Sequence, residues 1–181
     1  MFESFINKEN LQKIKNEIPF VVKDSGFPLV DWQEVINLLD YDLLNNRETG
    51  SERYGLYGFM LVNGERISSV GLFLDELYKI FEKSLEFNEL NKQSNDHQIY
   101  ISLTTDKDSY GGKHHDYSNV VFWQLNGVSR WKIYKEDGSG IELDEVLNQG
   151  DIIYCPEKRQ HEVIAVTPRC GVSLGLGKIK I

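Results

Sequence analysis

His114 and Asp116 stand two positions apart at the start of an apolar run, and His161 follows in the stretch GDIIYCPEKRQHEV. Two imidazoles and one carboxylate on a single face of an octahedral metal leave three positions open. That is the donor set of oxygen-activating non-haem Fe(II) centres. A β-strand turns residues i and i+2 to the same face, so a strand through residues 114–116 would aim the first two ligands at one point. His115 would then face the other way and is expected not to be a ligand. His161 lies too far along the chain to share that strand and must come alongside on another, as a wound antiparallel β-fold allows. The remaining histidine, His97, sits in the polar segment NKQSNDHQ and is expected to be exposed.

The elements that would position these residues follow from hydrophobic periodicity. From Gln98 onward the period is two: QIYISLTT, NVVFWQL, RWKIY, DIIYC, EVIAV and VSLGLGKIKI are β-branched or aromatic runs. They are separated by the turn-like DKDSYGG, NG, EDGSG and TPRCG. Short strands at this spacing predict a mainly β fold, a sandwich, jelly roll or barrel, with N-terminal helices packed on its outer face. Tyr100, Ser102 and Thr104 share one polar face of their strand by parity, as a strand lining a ligand cavity would. Before Gln98, helices are predicted over the first 17 residues, over DWQEVINLLDYDLL with Asp31 as N-cap, and over SSVGLFLDELYKIFEKSL. Trp32, Val35, Ile36, Leu38 and Leu39 should form the buried side of the second. Val70, Phe73, Leu74, Leu77, Tyr78, Ile80 and Phe81 should form that of the third. IPFVVKD reads as a short strand between the first two helices.

Composition bounds the function. The chain of 181 residues fits one domain over 1–181, with 1–97 as a helical and strand entry region and 98–181 as the β core carrying the site. The net charge of −8, with no run rich in lysine and arginine, argues against nucleic acid as a partner. No stretch of 18 apolar residues exists to cross a membrane. The charged, amphipathic N-terminus does not read as a secretory leader, so the expected location is cytoplasmic. Cys155 and Cys170, the only two cysteines, are too few for a disulfide framework and are expected to be reduced and buried.

The residues GGKHHDYSNVVFWQLNGVSRWKIY followed by LNQGDIIYCPEKRQHEV resemble the JmjC-type, cupin-like branch of the Fe(II)- and 2-oxoglutarate-dependent oxygenases. That branch includes ribosomal-protein hydroxylases and an asparaginyl hydroxylase. The likeness rests on His114, Asp116, Gln124, Gly127, Arg130 and Trp131, then Gly150, Asp151, Tyr154, Pro156 and His161, and is strongest over residues 98–177. It implies a double-stranded β-helix (a cupin-like jelly roll), with Fe(II) held by His114, Asp116 and His161 and with 2-oxoglutarate and O2 as cosubstrates. The implied reaction is hydroxylation or demethylation at a C–H bond of a small molecule, peptide or protein. The last strand ends close to Ile181, short of the C-terminal region that protein hydroxylases of the family carry, which favours a small molecule or short peptide.

The chain departs from the family where the cosubstrate's distal carboxylate needs a cation. Members supply Lys or Arg two positions after the strand-ending glycine, and this chain has Ser129 there. By parity Ser129 and Trp131 face inward and Arg130 outward, unless a bulge shifts the register. Arg169 is another candidate, although TPRCG reads as a turn. Tyr100, Thr104 and Gln124 offer neutral hydrogen bonds. Two further readings stay open: a metal-dependent cupin enzyme, dioxygenase or isomerase, that does not use 2-oxoglutarate, and a non-catalytic binding jelly roll. Trp123 and Tyr117 could shape the entrance or pack in the sheets. The segments Asn45 to Tyr57 and Lys107 to Lys113 are loop-like candidates for lids.

Overall fold

The computed structural model describes residue 5 and residues 7–45, 52–54, 58–84, 97–105 and 112–176. In chain order the elements are α1 (Lys8–Lys15), β1 (Phe20–Val22), α2 (Trp32–Asn45), β2 (Glu52–Tyr54), β3 (Gly58–Leu61), α3 (Ser68–Ser84) and β4 (His97–Ser102). Then come β5 (Asn119–Asn126), β6 (Ser129–Tyr134), β7 (Ile141–Leu147), β8 (Ile152–Cys155), β9 (His161–Ala165) and β10 (Arg169–Leu176). Two antiparallel sheets form, one of seven strands ordered β1-β8-β5-β10-β4-β3-β2 and one of three ordered β7-β6-β9. From β5 on, the chain crosses between sheets from β5 to β6, β7 to β8, β8 to β9 and β9 to β10, as a jelly roll requires.

Strand parity divides the seven-stranded sheet into two working faces. Ile99 and Ile101 of β4, Val121, Trp123 and Leu125 of β5, Ile152 and Tyr154 of β8, and Val172, Leu174 and Leu176 of β10 all point to one side. There they pack against Ile14 of α1, Val35 and Leu38 of α2, and Val70, Phe73, Leu74 and Leu77 of α3. The alternate residues Val120, Phe122, Ile153 and Cys155 point to the other side, onto Trp131, Ile133 and Leu147 beneath the three-stranded sheet. β5 and β8 are therefore buried on both faces, which explains their almost unbroken apolar sequences. Each fully buried Val, Leu or Phe contributes about 1.5–3 kcal/mol, so the helical layer is the larger source of stability and the inner face is freed for a cavity.

The second helix starts at the cap read from the sequence, Asp31, whereas the first, expected over residues 1–17, starts only at Lys8 behind Asn7. Asn7 Oδ1 accepts from Asn10 N at α1, and Asp31 and Glu34 form a reciprocal capping box at α2, Glu34 N donating to Asp31 Oδ1 (3.0 Å) and Asp31 N to Glu34 Oε2 (3.2 Å). Two details of α2 differ from the periodicity. Ile36 is 45% exposed, whereas Asp42, seven positions after Val35, is fully buried. Asp42 accepts hydrogen bonds from Val62 N and Asn63 Nδ2 and so ties α2 to the end of β3. Ile80 and Phe81 of α3, and Phe2 and Ile6 before α1, have side chains outside the described residues.

Three strands are not evident from the sequence. β7 alternates acidic and apolar residues and lies at a sheet edge, with Asp144 paired to Arg130 and Glu142 to Arg159. Charge on an edge strand blocks pairing with other chains. β2 and β3 form a hairpin within and after the stretch read as a loop from Asn45 to Tyr57; the rest of that stretch, 46–51 and 55–57, lies outside the described residues, as do 107–111 of the second candidate lid. His97 corrects another expectation. It is 7% exposed at the start of β4, with Nε2 2.8 Å from Glu65 Oε2, a partner 32 positions upstream that its polar local sequence does not reveal.

Asn126 and Gly127 turn the chain from one sheet to the other. Gly127 has φ +70°, and a Cβ there would lie 2.0 Å from Pro168 O. Gly127→Ala therefore combines a left-handed backbone with a backbone clash that no rotamer relieves. We expect a loss of about 3 kcal/mol, a fall in Tm of roughly 10 °C in thermal unfolding. An unchanged Tm would show that the β5–β6 connection yields.

Candidate metal centre

His114 lies just outside the regular strands. Its one sheet-like contact is a bridge to His161, the first residue of β9: His161 N donates to His114 O (2.7 Å) and His114 N to His161 O (3.0 Å). The expectation that residues 114–116 form a strand is thus corrected. β5 starts at Asn119, and the two-residue offset works through this single antiparallel pair. Directly opposed residues present side chains to the same side, and the two imidazole centroids lie 4.4 Å apart. Asp116 is carried on the following bend, with Oδ2 3.5 Å from His161 Nε2.

The ligand atoms of His114, Asp116 and His161 all fall within 4.8 Å of one another. Each histidine is oriented through its other nitrogen: His114 Nδ1 is 3.0 Å from Gly112 O, and His161 Nδ1 is 3.1 Å from Arg159 O. An N–H donated from Nδ1 to a carbonyl leaves the Nε2 lone pair for a metal, the usual way a ligating imidazole is fixed. Burial pushes the His161 imidazole below its ordinary pKa, against the opposing effect of the Arg159 carbonyl, and so favours the neutral form that can bind metal. Trp131 stacks on the same ring at 5.6 Å with a 16° tilt. His115 is exposed, its ring against that of Tyr117, and is not among the three; Tyr117 is itself 80% exposed.

These residues open onto a cavity of about 310 Å³, also lined by Tyr100, Val120, Phe122, Trp131, Val163, Arg169 and Ser173. Arg169 corrects the reading of TPRCG as a turn. It is the first residue of β10, pairs in register with Ser102 of β4, and is 2% exposed. Counting back by twos from Ser173 through Gly171 places it on the inward face, toward the cavity that His114, Asp116 and His161 line. Gly171 matters here because a Cβ would sit 2.1 Å from Phe122 Cζ. The glycine lets the Phe122 ring lie against β10, with the Arg169 guanidinium 5.7 Å from its centroid.

The other candidates for cosubstrate binding are placed differently. Arg130 points outward and holds Asp144 through two hydrogen bonds of 2.7 Å. Ser129 and Gln124 are fully buried but bonded to one another: Ser129 Oγ donates to Gln124 Oε1 (2.6 Å), while Gln124 Nε2 donates to Asn126 O (2.7 Å) and Cys170 O (3.1 Å). Their polar atoms secure the β5–β6 turn to β10. Thr104 lies past the end of β4, half-buried and outside the cavity wall, whereas Tyr100 lines it and donates its hydroxyl to Gln98 Oε1. Trp123 packs between Phe27 and Phe73 under the helices, away from the entrance. Burial raises both thiols, Cys170 to about 12, and Cys155 Sγ lies 3.6 Å from His161 Nδ1.

A cupin-like jelly roll whose two sheets enclose a site of two histidines and one carboxylate defines a class of mononuclear metalloproteins. The JmjC domain matches residues 78–180, and the chain belongs to that family. Among solved structures it is similar to the ribosomal oxygenase YcfD from Escherichia coli, with 17% identity, a TM-score of 0.65, and coverage of 97% of this chain and 52% of that one. It is also similar to YcfD in complex with cobalt and 2-oxoglutarate (17% identity, TM-score 0.60, 90% of this chain and 48% of that one). The complex with cobalt and succinic acid gives 18% identity, TM-score 0.60, and coverage of 90% and 49%. The chain spans about half the length of these structures. No curated protein matches it in sequence. Among the described residues no helix is long and apolar enough to cross a membrane.

Proposed function

We propose that the protein is an Fe(II)- and 2-oxoglutarate-dependent oxygenase that hydroxylates, or demethylates, a C–H bond of its substrate. The observation that carries this is the meeting of His114, Asp116 and His161 in one cavity with a buried cation, Arg169. The donor set suits a divalent iron with open positions. Bound Fe(II) supplies the O2 and one-electron chemistry that side chains lack. The chain's own residues bind, orient and shield. His114, Asp116 and His161 hold the metal, Gly112 O and Arg159 O fix the two imidazoles, and the Trp131 ring braces His161. Val120, Phe122 and Val163 keep the cavity apolar, while Arg169 receives the distal carboxylate of 2-oxoglutarate. A guanidinium held out of bulk water is screened little, so it acts strongly on an anion brought beside it.

The YcfD likeness supports a peptide or protein substrate over a small molecule, and the composition supports a single domain acting in the cytoplasm. A second reading, a metal-dependent cupin enzyme without 2-oxoglutarate, is favoured by the neutral, internally bonded Ser129 at the position where the family resemblance implies a cation. The reaction separates the two. With Fe(II) and 2-oxoglutarate, purified protein should release succinate and CO2 in equal amounts above the protein-free rate. Metal-loaded protein giving no succinate above that blank would favour the second reading.

A further inference from the structure

Asn119 is the first residue of β5, three positions after Asp116, and only 2% exposed. Its Oδ1 accepts two hydrogen bonds, from the Tyr154 hydroxyl (2.7 Å) and from Glu157 N (3.2 Å). The next amide, Lys158 N, donates to Asp116 O (2.8 Å). Lys158 adopts φ 60°, a left-handed conformation uncommon for a residue with a Cβ, within the turn that donates both amides. Tyr154 is the next-to-last residue of β8 before that turn, and His161 begins β9 after it. The segment bearing His114 and Asp116 is thus fastened to the segment bearing His161 at two places: the His114–His161 backbone pair on one side, and Asn119 with the Asp116 carbonyl on the other.

We propose that Asn119 is a positioning residue for the metal centre. Its side-chain oxygen sets the offset between the bend that carries Asp116 and the turn that leads into His161, although it donates no ligand itself. The bond to Tyr154 anchors this oxygen to the core, because the Tyr154 ring is fully buried among the residues packed against the helices. Loss of the acceptor removes the partner of Glu157 N and leaves the Tyr154 hydroxyl only its longer contact with Ile14 O (3.5 Å). On the Asp116 side the bend then keeps only the Lys158 bond, the His114–His161 pair still holding the other side, and Asp116 is less firmly set against the two imidazoles. The inference rests on the metal-centre reading above, and its test separates the two.

Co(II) is titrated into the apoprotein, with the dissociation constant and the visible d–d absorption read together. Asn119→Ala should weaken binding about 10- to 100-fold, the usual effect of losing a group that orients ligands, and should change the absorption bands. Asn119→Asp keeps an acceptor oxygen and should restore binding to within about threefold of wild type. Asp42→Asn perturbs a buried acceptor remote from the site and should lower Tm without moving the Co(II) constant. If Asn119→Ala does not fold, Tyr154→Phe removes one of the two donors and should weaken binding several-fold. Wild-type affinity and spectrum in folded Asn119→Ala, or in Tyr154→Phe, would overturn the proposal. So would a loss in Asp42→Asn equal to that in Asn119→Ala. Wild-type protein that binds no Co(II) would overturn the metal centre itself.

Discussion

Asp116→Ala retains the fold and loses the metal. Its side chain is 40% exposed, so truncation leaves no cavity, and the backbone carbonyl that accepts from Lys158 N is untouched. What disappears is the only anionic donor of the three. Two neutral imidazoles remain, and Fe(II) or Co(II) affinity should fall at least about 1,000-fold, about 4 kcal/mol. Retained metal after dialysis, measured by elemental analysis, should drop from near one equivalent to near zero while Tm of the apoprotein stays within a few degrees. His161→Ala is a less clean test, because that imidazole is buried against Trp131 and its loss mixes packing with coordination. His115→Ala serves as the matched control, one residue away and exposed, with metal content expected at the wild-type level. Full metal retention in Asp116→Ala would require a different ligand set.

Arg169→Ala should weaken 2-oxoglutarate binding strongly while leaving metal content intact. The guanidinium shares the cavity wall with the ligands, so its removal leaves the distal carboxylate of the cosubstrate buried without a cation. Truncating one member of such a charge pair costs roughly 2–5 kcal/mol, an affinity loss between about 30- and several thousand-fold. Arg169→Lys keeps the charge but not the planar fork and should recover part of that loss. Arg130→Ala should leave 2-oxoglutarate affinity unchanged within about twofold, since an exposed pair with Asp144 is worth at most about 1 kcal/mol and lies on the opposite face. If Arg130→Ala were the damaging change and Arg169→Ala the silent one, the assignment of the two arginines would be reversed.

The meeting of His114, Asp116 and His161 was legible in the sequence because metal-ligating chemistry is restricted to a few residue types, here at a spacing that a β-fold can bring together. Their immediate backbone was less legible. The bend at residues 115–118 breaks strand periodicity, and only the bridge to His161 restores a common direction. Arg169 was obscured by its neighbours, because Thr167, Pro168 and Gly171 carry turn propensity, while pairing to both β4 and β5 holds that stretch extended. Tertiary pairing overrode local preference there. It did so again in β7, whose charges satisfy one another across strands, and at His97, whose carboxylate partner comes from a distant turn. Asn119 and Tyr154 carried no signal as a pair; their contact spans 35 positions and exists only once β5 and β8 lie side by side. The α2 N-cap at Asp31 and the alternation along β4 were visible because local geometry alone dictates them.

In the proposed oxygenase the metal centre and Arg169 together form one site for 2-oxoglutarate. Calorimetric titration of 2-oxoglutarate into anaerobic protein, with and without one equivalent of Fe(II), tests it most directly. One equivalent should bind in the micromolar range to the Fe(II)-loaded protein, and markedly more weakly to the apoprotein. No binding to the loaded protein, or equal binding with and without the metal, would contradict it.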